Sequence, residues 1–264
     1  MSVLASLLKA DGGSIELCGF DLDRGSRDAR RMIGFVPQEL ALYPTLTARD
    51  NLVFFGRVYG LHGKELEESV AAALAIVGLS NRAKDAVESF SGGMKRRLNI
   101  AAGMVHRPRV LFLDEPTVGV DPQSRNFILE HVERLRDEGM TVVYTTHYME
   151  EAARLCDRVA IMDEGRIIAL DTREGLLRLL GGGVLVVGLA GGEGNLEAIR
   201  TMKHARQVTP LDGQVKVETD DAHAALLELI GLCGERGCSI HSLQVLEPNL
   251  ESVFLHLTGK RLRD

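Results

Sequence analysis

The chain reads as an α/β domain with a buried parallel sheet and a helical insertion, followed by a small α+β domain. Three observations predict this. Val110-Leu111-Phe112-Leu113 and Thr141-Val142-Val143-Tyr144 are short strand-like runs joined by a helical stretch, the pattern of a βαβ unit covered on both faces. Apolar residues from Thr47 to about Val105 recur with a helical period. Gly181-Gly182-Gly183 then interrupts the chain ahead of a second alternation of strands and helices.

In order along the chain, Val3, Leu4, Leu7 and Leu8 share one side of what reads as the tail of a helix, ended by Gly12-Gly13. Residues 14–17 alternate like a strand, and residues 32–36 form an apolar strand stopped at Pro37. In the insertion, Leu66, Val70, Leu74 and Val77 step along one helix face, and Gly78 stands where a helix-ending glycine belongs. Met94, Leu98, Ala101 and Val105 repeat the stripe in the next helix. The helix joining the two core strands runs through Ile128, Val132 and Leu135 and stops at Gly139. Two short strands flank Glu164-Gly165 between Arg158 and Asp171.

Beyond the glycines the pattern predicts strand 184–190, helix 195–203, strand 204–209, strand 214–219, helix 222–236, strand 239–246 and helix 249–258. That is a βαββαβ order, compatible with a split βαβ sandwich, plus a closing helix. In the closing helix Leu250, Val253, Phe254 and Leu257 share a face expected to pack on the sheet. The expected domains are therefore 1–180, with a helical subdomain at about 47–105, and 184–264.

Composition narrows the functional classes. With 45% apolar and 26% charged residues the chain is an ordinary globular one. Its 37 acids against 31 bases leave a net charge of −6, the opposite of a phosphate-backbone binder, so no direct nucleic-acid partner is expected. The basic tail Lys260, Arg261, Arg263 is too short to change this. The four cysteines form no C-x-x-C pair and read as reduced thiols, with Cys233 and Cys238 close enough in sequence to meet. No apolar run approaches the ~18 residues of a membrane-spanning helix, so any membrane role is expected to come through a partner.

The strongest chemical signal is Leu113-Asp114-Glu115-Pro116-Thr117. Open α/β sheets bind ligands at the carboxyl ends of their strands, where these two carboxylates stand. A right-handed crossover returns the chain to the same edge, so Thr145, Thr146 and His147 emerge beside them. A lone histidine is more often structural, but one beside a carboxylate pair on such an edge is a candidate γ-phosphate sensor. Gln38, just past Pro37, offers a neutral amide able to coordinate Mg2+ or hold a water, and taken alone is an ordinary loop residue. Ser91 is an N-cap, yet Gly92 and Gly93 in the same first turn cost about 1 kcal/mol each against alanine. That cost makes sense if bare amides must approach an anion, which a helix N-terminus attracts. Asp121-Pro122 has the same double character: a cap followed by proline at the first helical position, a few residues past the carboxylates.

Together and in this order, these pieces resemble the ATP-binding subunits of ABC transporters over about residues 1–175. Gln38 resembles the Q-loop glutamine, Ser91-Gly92-Gly93-Met94 the signature motif, Leu113-Asp114-Glu115 Walker B, Asp121 the D-loop and His147 the switch histidine. The resemblance implies an ABC-type P-loop NTPase core and an ATP-hydrolysing subunit that energises a separate membrane permease. It implies ATP and Mg2+ as ligands, with Asp114 holding the metal through water and Glu115 acting as base on the attacking water. Gln38 and His147 would sense the metal and the γ-phosphate. Ser91, Gly92, Gly93 and Met94 would close over ATP held by the opposite subunit of a head-to-tail homo- or heterodimer, and Asp121, as the D-loop residue, would also belong to the nucleotide site. A cytoplasmic protein, peripheral at the inner face of the membrane through its permease, follows. Met94 with Lys95-Arg96-Arg97-Leu98, and the ending Pro248-Asn249-Leu250-Glu251-Ser252-Val253-Phe254, are similar to drug-resistance-type exporter ATPases with a small C-terminal appendage. Residues 184–264 would then be an accessory, regulatory or dimer-contact module.

The same resemblance requires G-x-x-x-x-G-K-S/T between the first core strand and the first helix. Gly63-Lys64 and Gly259-Lys260 are the only Gly-Lys pairs, and neither fits. Residues 2–11 are similar to the end of the helix that follows this loop, so the expectation is an N-terminally truncated core lacking its first strand and Walker A. Charge-assisted bonds to phosphate are worth roughly 1.5–3 kcal/mol each, so these 264 residues alone are expected to bind ATP weakly and to be inactive. The absent strand is also expected to leave apolar surface and sheet edges exposed. Two alternatives stay open: a non-catalytic partner donating its signature motif to a complete ATPase subunit, or an inactive gene fragment. An ABC ATPase of translation or repair is disfavoured, because neither a second motor domain nor a coiled insertion is visible.

Overall fold

The structure, a computed structural model, describes residues 1–22, 27–189, 194–211, 214–246 and 249–258. Pro248 and the basic tail Lys260, Arg261 and Arg263 lie outside them. The chain divides into two compact units, Met1–Leu155 and Cys156–Asp264. The glycine run at 181–183 falls within the second.

The first unit contains β1 (Glu16–Leu17), β2 (Phe20–Asp21), α1 (Arg27–Arg31), β3 (Ile33–Val36), α2 (Ala48–Val58), α3 (Gly63–Ile76), α4 (Gly92–Met104), β4 (Val110–Asp114), α5 (Pro122–Asp137), β5 (Thr141–Thr145) and α6 (Met149–Leu155). Strands β3, β4 and β5 form a parallel sheet in that order. Val36 stands opposite Leu113 and Asp114 opposite Thr145, so all three strands point their carboxyl ends the same way. Leu111 and Leu113 of the central strand are fully buried, which is why β4 reads as unbroken apolar sequence.

Between β3 and β4 the chain leaves the sheet to build a helical layer. Helices α2, α3 and α4 bury Leu52, Leu66, Val70, Leu74, Leu98 and Val105 in one cluster. Thr47 caps α2 by accepting from the Asp50 amide, and Gly78 follows α3 at φ +64. The stripe Leu66, Val70, Leu74 and Val77 expected from the sequence is the buried face of α3.

The opening residues depart from the expected helix tail. A single i→i−4 bond, Ala5 N to Met1 O at 3.0 Å, is followed by Ser6 in a left-handed conformation. Leu7 and Leu8 are exposed, so no apolar face is buried. So short a segment gains too few hydrogen bonds to offset helix nucleation.

The second unit opens with the hairpin β6 (Val159–Asp163) and β7 (Arg166–Asp171). Its two linking residues, Glu164 and Gly165, both have positive φ, as a turn matching the right-handed strand twist requires. Then follow α7 (Arg173–Leu177), β8 (Gly183–Leu189), α8 (Gly194–Arg200), β9 (Gln207–Leu211), β10 (Gln214–Thr219), α9 (Ala222–Arg236), β11 (Ile240–Leu246) and α10 (Leu250–Thr258). The sheet order β11-β8-β10-β9, antiparallel throughout, is the split βαβ arrangement expected from the sequence. Strand β9 starts at Gln207 because the chain is still turning at Ala205, whose amide donates to Met202 O at 3.2 Å.

Leu185, Val187, Ile199, Val217 and Leu229 fill the core between this sheet and α8 and α9. Helix α10 buries Leu250 and Val253 but packs chiefly against α7, not on the sheet as expected. Helices α8 and α9 already lie on that sheet. Cys233 and Cys238 do meet, across the end of α9; burial, with Cys238 adding to it, pushes the Cys233 thiol up to about 12.

Candidate functional site

At the carboxyl edge of the first unit's sheet, β4 ends at Asp114 and β5 at its register partner Thr145. The Thr145 hydroxyl donates to Asp114 Oδ1 at 2.6 Å and accepts from the Glu115 amide at 3.1 Å. The same amide also donates to Thr145 O at 3.2 Å. These bonds hold Glu115 at φ +43, a left-handed conformation that costs a side-chain-bearing residue about 1–2 kcal/mol. The turn swings the Glu115 carboxylate off the strand line toward the loop after β5. There His147 Nδ1 lies 3.4 Å from Glu115 Oε1, with both side chains about one-third exposed, at 31% and 28%. Backbone strain of this kind concentrates at functional sites.

The arrangement has definite chemical capacity. Glu115 is a carboxylate open to water and backed by an imidazole, the constellation of a general base whose charge is answered by a neighbour. Asp114 supplies a hard oxygen donor. Mg2+ is held by one or two carboxylates together with substrate phosphates, so this donor set fits a metal that arrives on a nucleotide.

A second cluster forms where α4 and α5 begin. Ser91 accepts from the Met94 amide at 3.2 Å, and Asp121 accepts from the Ser124 amide at 2.9 Å. The Ser124 amide and hydroxyl hold the Asp121 carboxyl below its usual range. The two glycines of this turn serve different ends. A Cβ on Gly92 would meet open space, leaving its backbone approachable. A Cβ on Gly93 would lie 2.0 Å from Ser124 Oγ and 3.2 Å from Asp121 Oδ2, so Gly93 is required by packing within the chain itself.

Gln38 is exposed just beyond β3, on the same sheet edge as Asp114. The backbone around it is held by α4: Pro37 O accepts from Arg96 Nη1 at 3.2 Å and Asn99 Nδ2 at 3.4 Å, and Ala41 N donates to Asn99 Oδ1 at 3.1 Å. Burial lowers the Arg96 guanidinium pKa, with nearby Tyr144 opposing it.

Sequence reasoning brought Asp114, Glu115 and His147 to one edge, as the structure does; that Gly93 and Asp121 share one junction is shown by the structure alone. It missed Arg96, Asn99 and Glu151. Arg96 and Asn99 sit three apart within a helix otherwise read for its apolar stripe, and that spacing was the available signal. Glu151 follows Glu150 directly, and only the fold separates the buried acid from the exposed one.

The family described as ABC transporter matches residues 1–118. The linearmycin resistance ATP-binding protein LnrL of Bacillus subtilis (strain 168) is 47% identical over 100% of this chain and 86% of its own length. The Nod factor export ATP-binding protein I of Sinorhizobium fredii (strain NBRC 101917 / NGR234) is 37% identical over 99% of this chain and 74% of its own. A solved structure described as the ATP binding subunit of an ABC transporter superposes with a TM-score of 0.60 at 28% identity, over 67% of this chain and 74% of that one. With a relative 47% identical over the whole of this chain and 86% of its own length, the chain belongs to the ABC transporter family, among its ATP-binding subunits.

Proposed function

We propose that this chain, as part of a membrane complex and not on its own, takes part in binding ATP with Mg2+ and hydrolysing it to drive export through a separate permease. The observation that carries the reading is Glu115, held in a strained left-handed turn within 3.4 Å of His147 and directly after Asp114. In it Glu115 accepts a proton from the water that attacks the γ-phosphate, and His147 contacts the same phosphate. Gln38, on its α4-anchored segment, registers the nucleotide from the neighbouring strand end. Asp114, through water, and Gln38 would hold Mg2+, which when bound would supply positive charge to the phosphates.

Ser91, Gly92, Gly93 and Met94 form the surface that closes on a nucleotide held by a second ATP-binding subunit, with Gly92 giving the closest backbone approach. Asp121, packed against Gly93, moves with that surface. Residues 184–264 form an accessory domain, and residues 47–105 the helical subdomain of the motor. The relatives named for linearmycin resistance and Nod factor export support the exporter direction. No helix among the described residues is long and apolar enough to cross a membrane. In this reading the spanning part belongs to a partner, and the chain sits at the inner membrane face through it.

The test is ATP turnover by the membrane complex purified from source cells. Glu115→Gln is expected to lower it by about 10²–10⁴-fold. Near-normal turnover in Glu115→Gln, together with loss of turnover in Ser91→Phe, would overturn the catalytic role and leave the chain as the donor of the signature surface.

A further inference from the structure

Glu151, in the first turn of α6, has a side chain only 1% exposed. An ionised carboxylate so placed is costly unless its oxygens are fully bonded. Its Oε1 accepts from Thr117 Oγ1 at 2.8 Å and from Arg125 Nε at 2.7 Å. Its Oε2 accepts from the Tyr144 hydroxyl at 2.8 Å and from Thr146 Oγ1 at 2.9 Å. The four donors come from four places: the loop after β4, helix α5, strand β5 and the loop after β5.

Two of those donors sit in the loops that present the reacting groups. Thr146 precedes His147, and its hydroxyl oxygen also accepts from the Tyr148 amide at 2.9 Å, so the backbone is pinned on both sides of the histidine. Thr117 lies two residues past Glu115, in a turn where Val118 N donates to Glu115 O at 3.3 Å and Val120 N to Thr117 O at 3.4 Å. Arg125 adds a third tie, its guanidinium stacking over Tyr148 at 4.4 Å. One buried anion thus holds both loops, and the Glu115–His147 approach is the gap between them.

We propose that Glu151 is a positioning residue that sets the distance between Glu115 and His147. The proposal rests on reading those two as the reacting pair. A purely structural buried acid can be exchanged for apolar packing at little loss, because desolvation offsets most of its Coulomb gain. Here the donors are loop hydroxyls whose directions fix where Glu115 and His147 point. Removing the charge frees both loops at once.

The test reads the contact without nucleotide. In the full chain with 13C-labelled histidine, Glu115→Gln shifts the His147 ring Cε1–H resonance, because the two side chains touch. In a Glu151→Gln background the same Glu115→Gln change is expected to shift it by less than half as much, while the His106 and His131 resonances stay in place. An undiminished response would overturn the proposal. Should Glu151→Gln unfold the unit, Thr146→Val removes one donor and leaves three, with the same expected and overturning results. In the membrane complex, Glu151→Gln is expected to lower kcat for ATP about ten- to a hundredfold with KM little changed. A rise in KM alone would overturn the positioning role. Loss of coupling in the resonance, with turnover indifferent to Glu115→Gln, would instead sink the catalytic reading while keeping the clamp.

Discussion

The two units solve the same packing problem and put different things at their strand ends. Leu111 and Leu113 in the first and Leu185 and Val187 in the second are equally buried beneath helices. In the first unit the strands then release Asp114, Glu115 and His147 into a web of hydroxyls, a guanidinium and a buried acid. In the second, the cluster of Leu185, Val187, Ile199, Val217 and Leu229 is apolar apart from the Cys233 thiol. Apolar burial builds a layered fold in either case, whereas a reactive edge also needs polar groups inside it, each individually satisfied.

The comparison breaks most sharply at Glu115. Glu115→Gln should remove about two to four decades of turnover and leave the melting of both units nearly unchanged. Leu229→Ala in the second unit should do the reverse. It deletes methylenes from a fully buried site at a cost of about 2–5 kcal/mol, read as faster hydrogen exchange at Leu185 and Val187, with exchange in the first unit's β4 untouched. Matching losses in both units would mean they unfold as one.

Acid should separate them next. His106 stacks on Tyr59 at 3.6 Å and bonds Ile33 O through Nε2 at 2.9 Å, while its Nδ1 is buried without a hydrogen-bond partner. Burial, partly opposed by the Ile33 bond, pushes its pKa down to about 4. The folded state thus holds His106 neutral, so its contribution is intact above pH 6.5 and drains away as pH falls from 6.5 to about 4. The full shift corresponds to about 3 kcal/mol in the first unit. Urea midpoints tracked by first-unit probes should fall over that window in wild type and stay flatter in His106→Phe. An equal slope in both would remove His106 from the acid response.

The smallest effect is the cleanest contrast. Asp121 and Asp221 cap α5 and α9 through the same bond, to the amides of Ser124 and Ala224 at 2.9 and 3.0 Å. Replacing either by alanine should lower the stability of its own unit slightly, by the loss of one helix cap. Only Asp121→Ala should also lower turnover, because Asp121 packs against Gly93. Equal effects on turnover would deny the Gly92–Gly93 turn its role.

Much of this was legible beforehand. The βαβ pattern, the helical insertion and the whole βαββαβ order followed from periodicity and glycine punctuation, because local burial dictated them. Asp114, Glu115 and His147 followed from topology, since a right-handed crossover must return β5 to the edge of β4. The opening helix was misread because Val3, Leu4, Leu7 and Leu8 have a helical spacing but nothing to bury against. Gly93 reads in sequence like a companion of Gly92, and nothing in the sequence sets Glu151 apart from Glu150. In each pair the distinction lies in a contact with a residue about 30 or more positions away, such as Ser124 or Thr117, which local spacing does not encode.

The insertion between β3 and β4 also constrains how this protein acquires its shape. These strands are direct neighbours, yet roughly seventy residues separate them, a long loop to close for a single pairing. Helices α2 to α4 fill that loop with their own apolar cluster, built largely from nearby positions. Low contact order favours their early collapse, which draws the ends of the loop together before the sheet registers. The segment that carries the Gly92–Gly93 turn would then serve first as the spring that shortens the search for β4. In a pulse-labelling experiment, amides of α3 and α4 should gain protection ahead of those in β3 and β4.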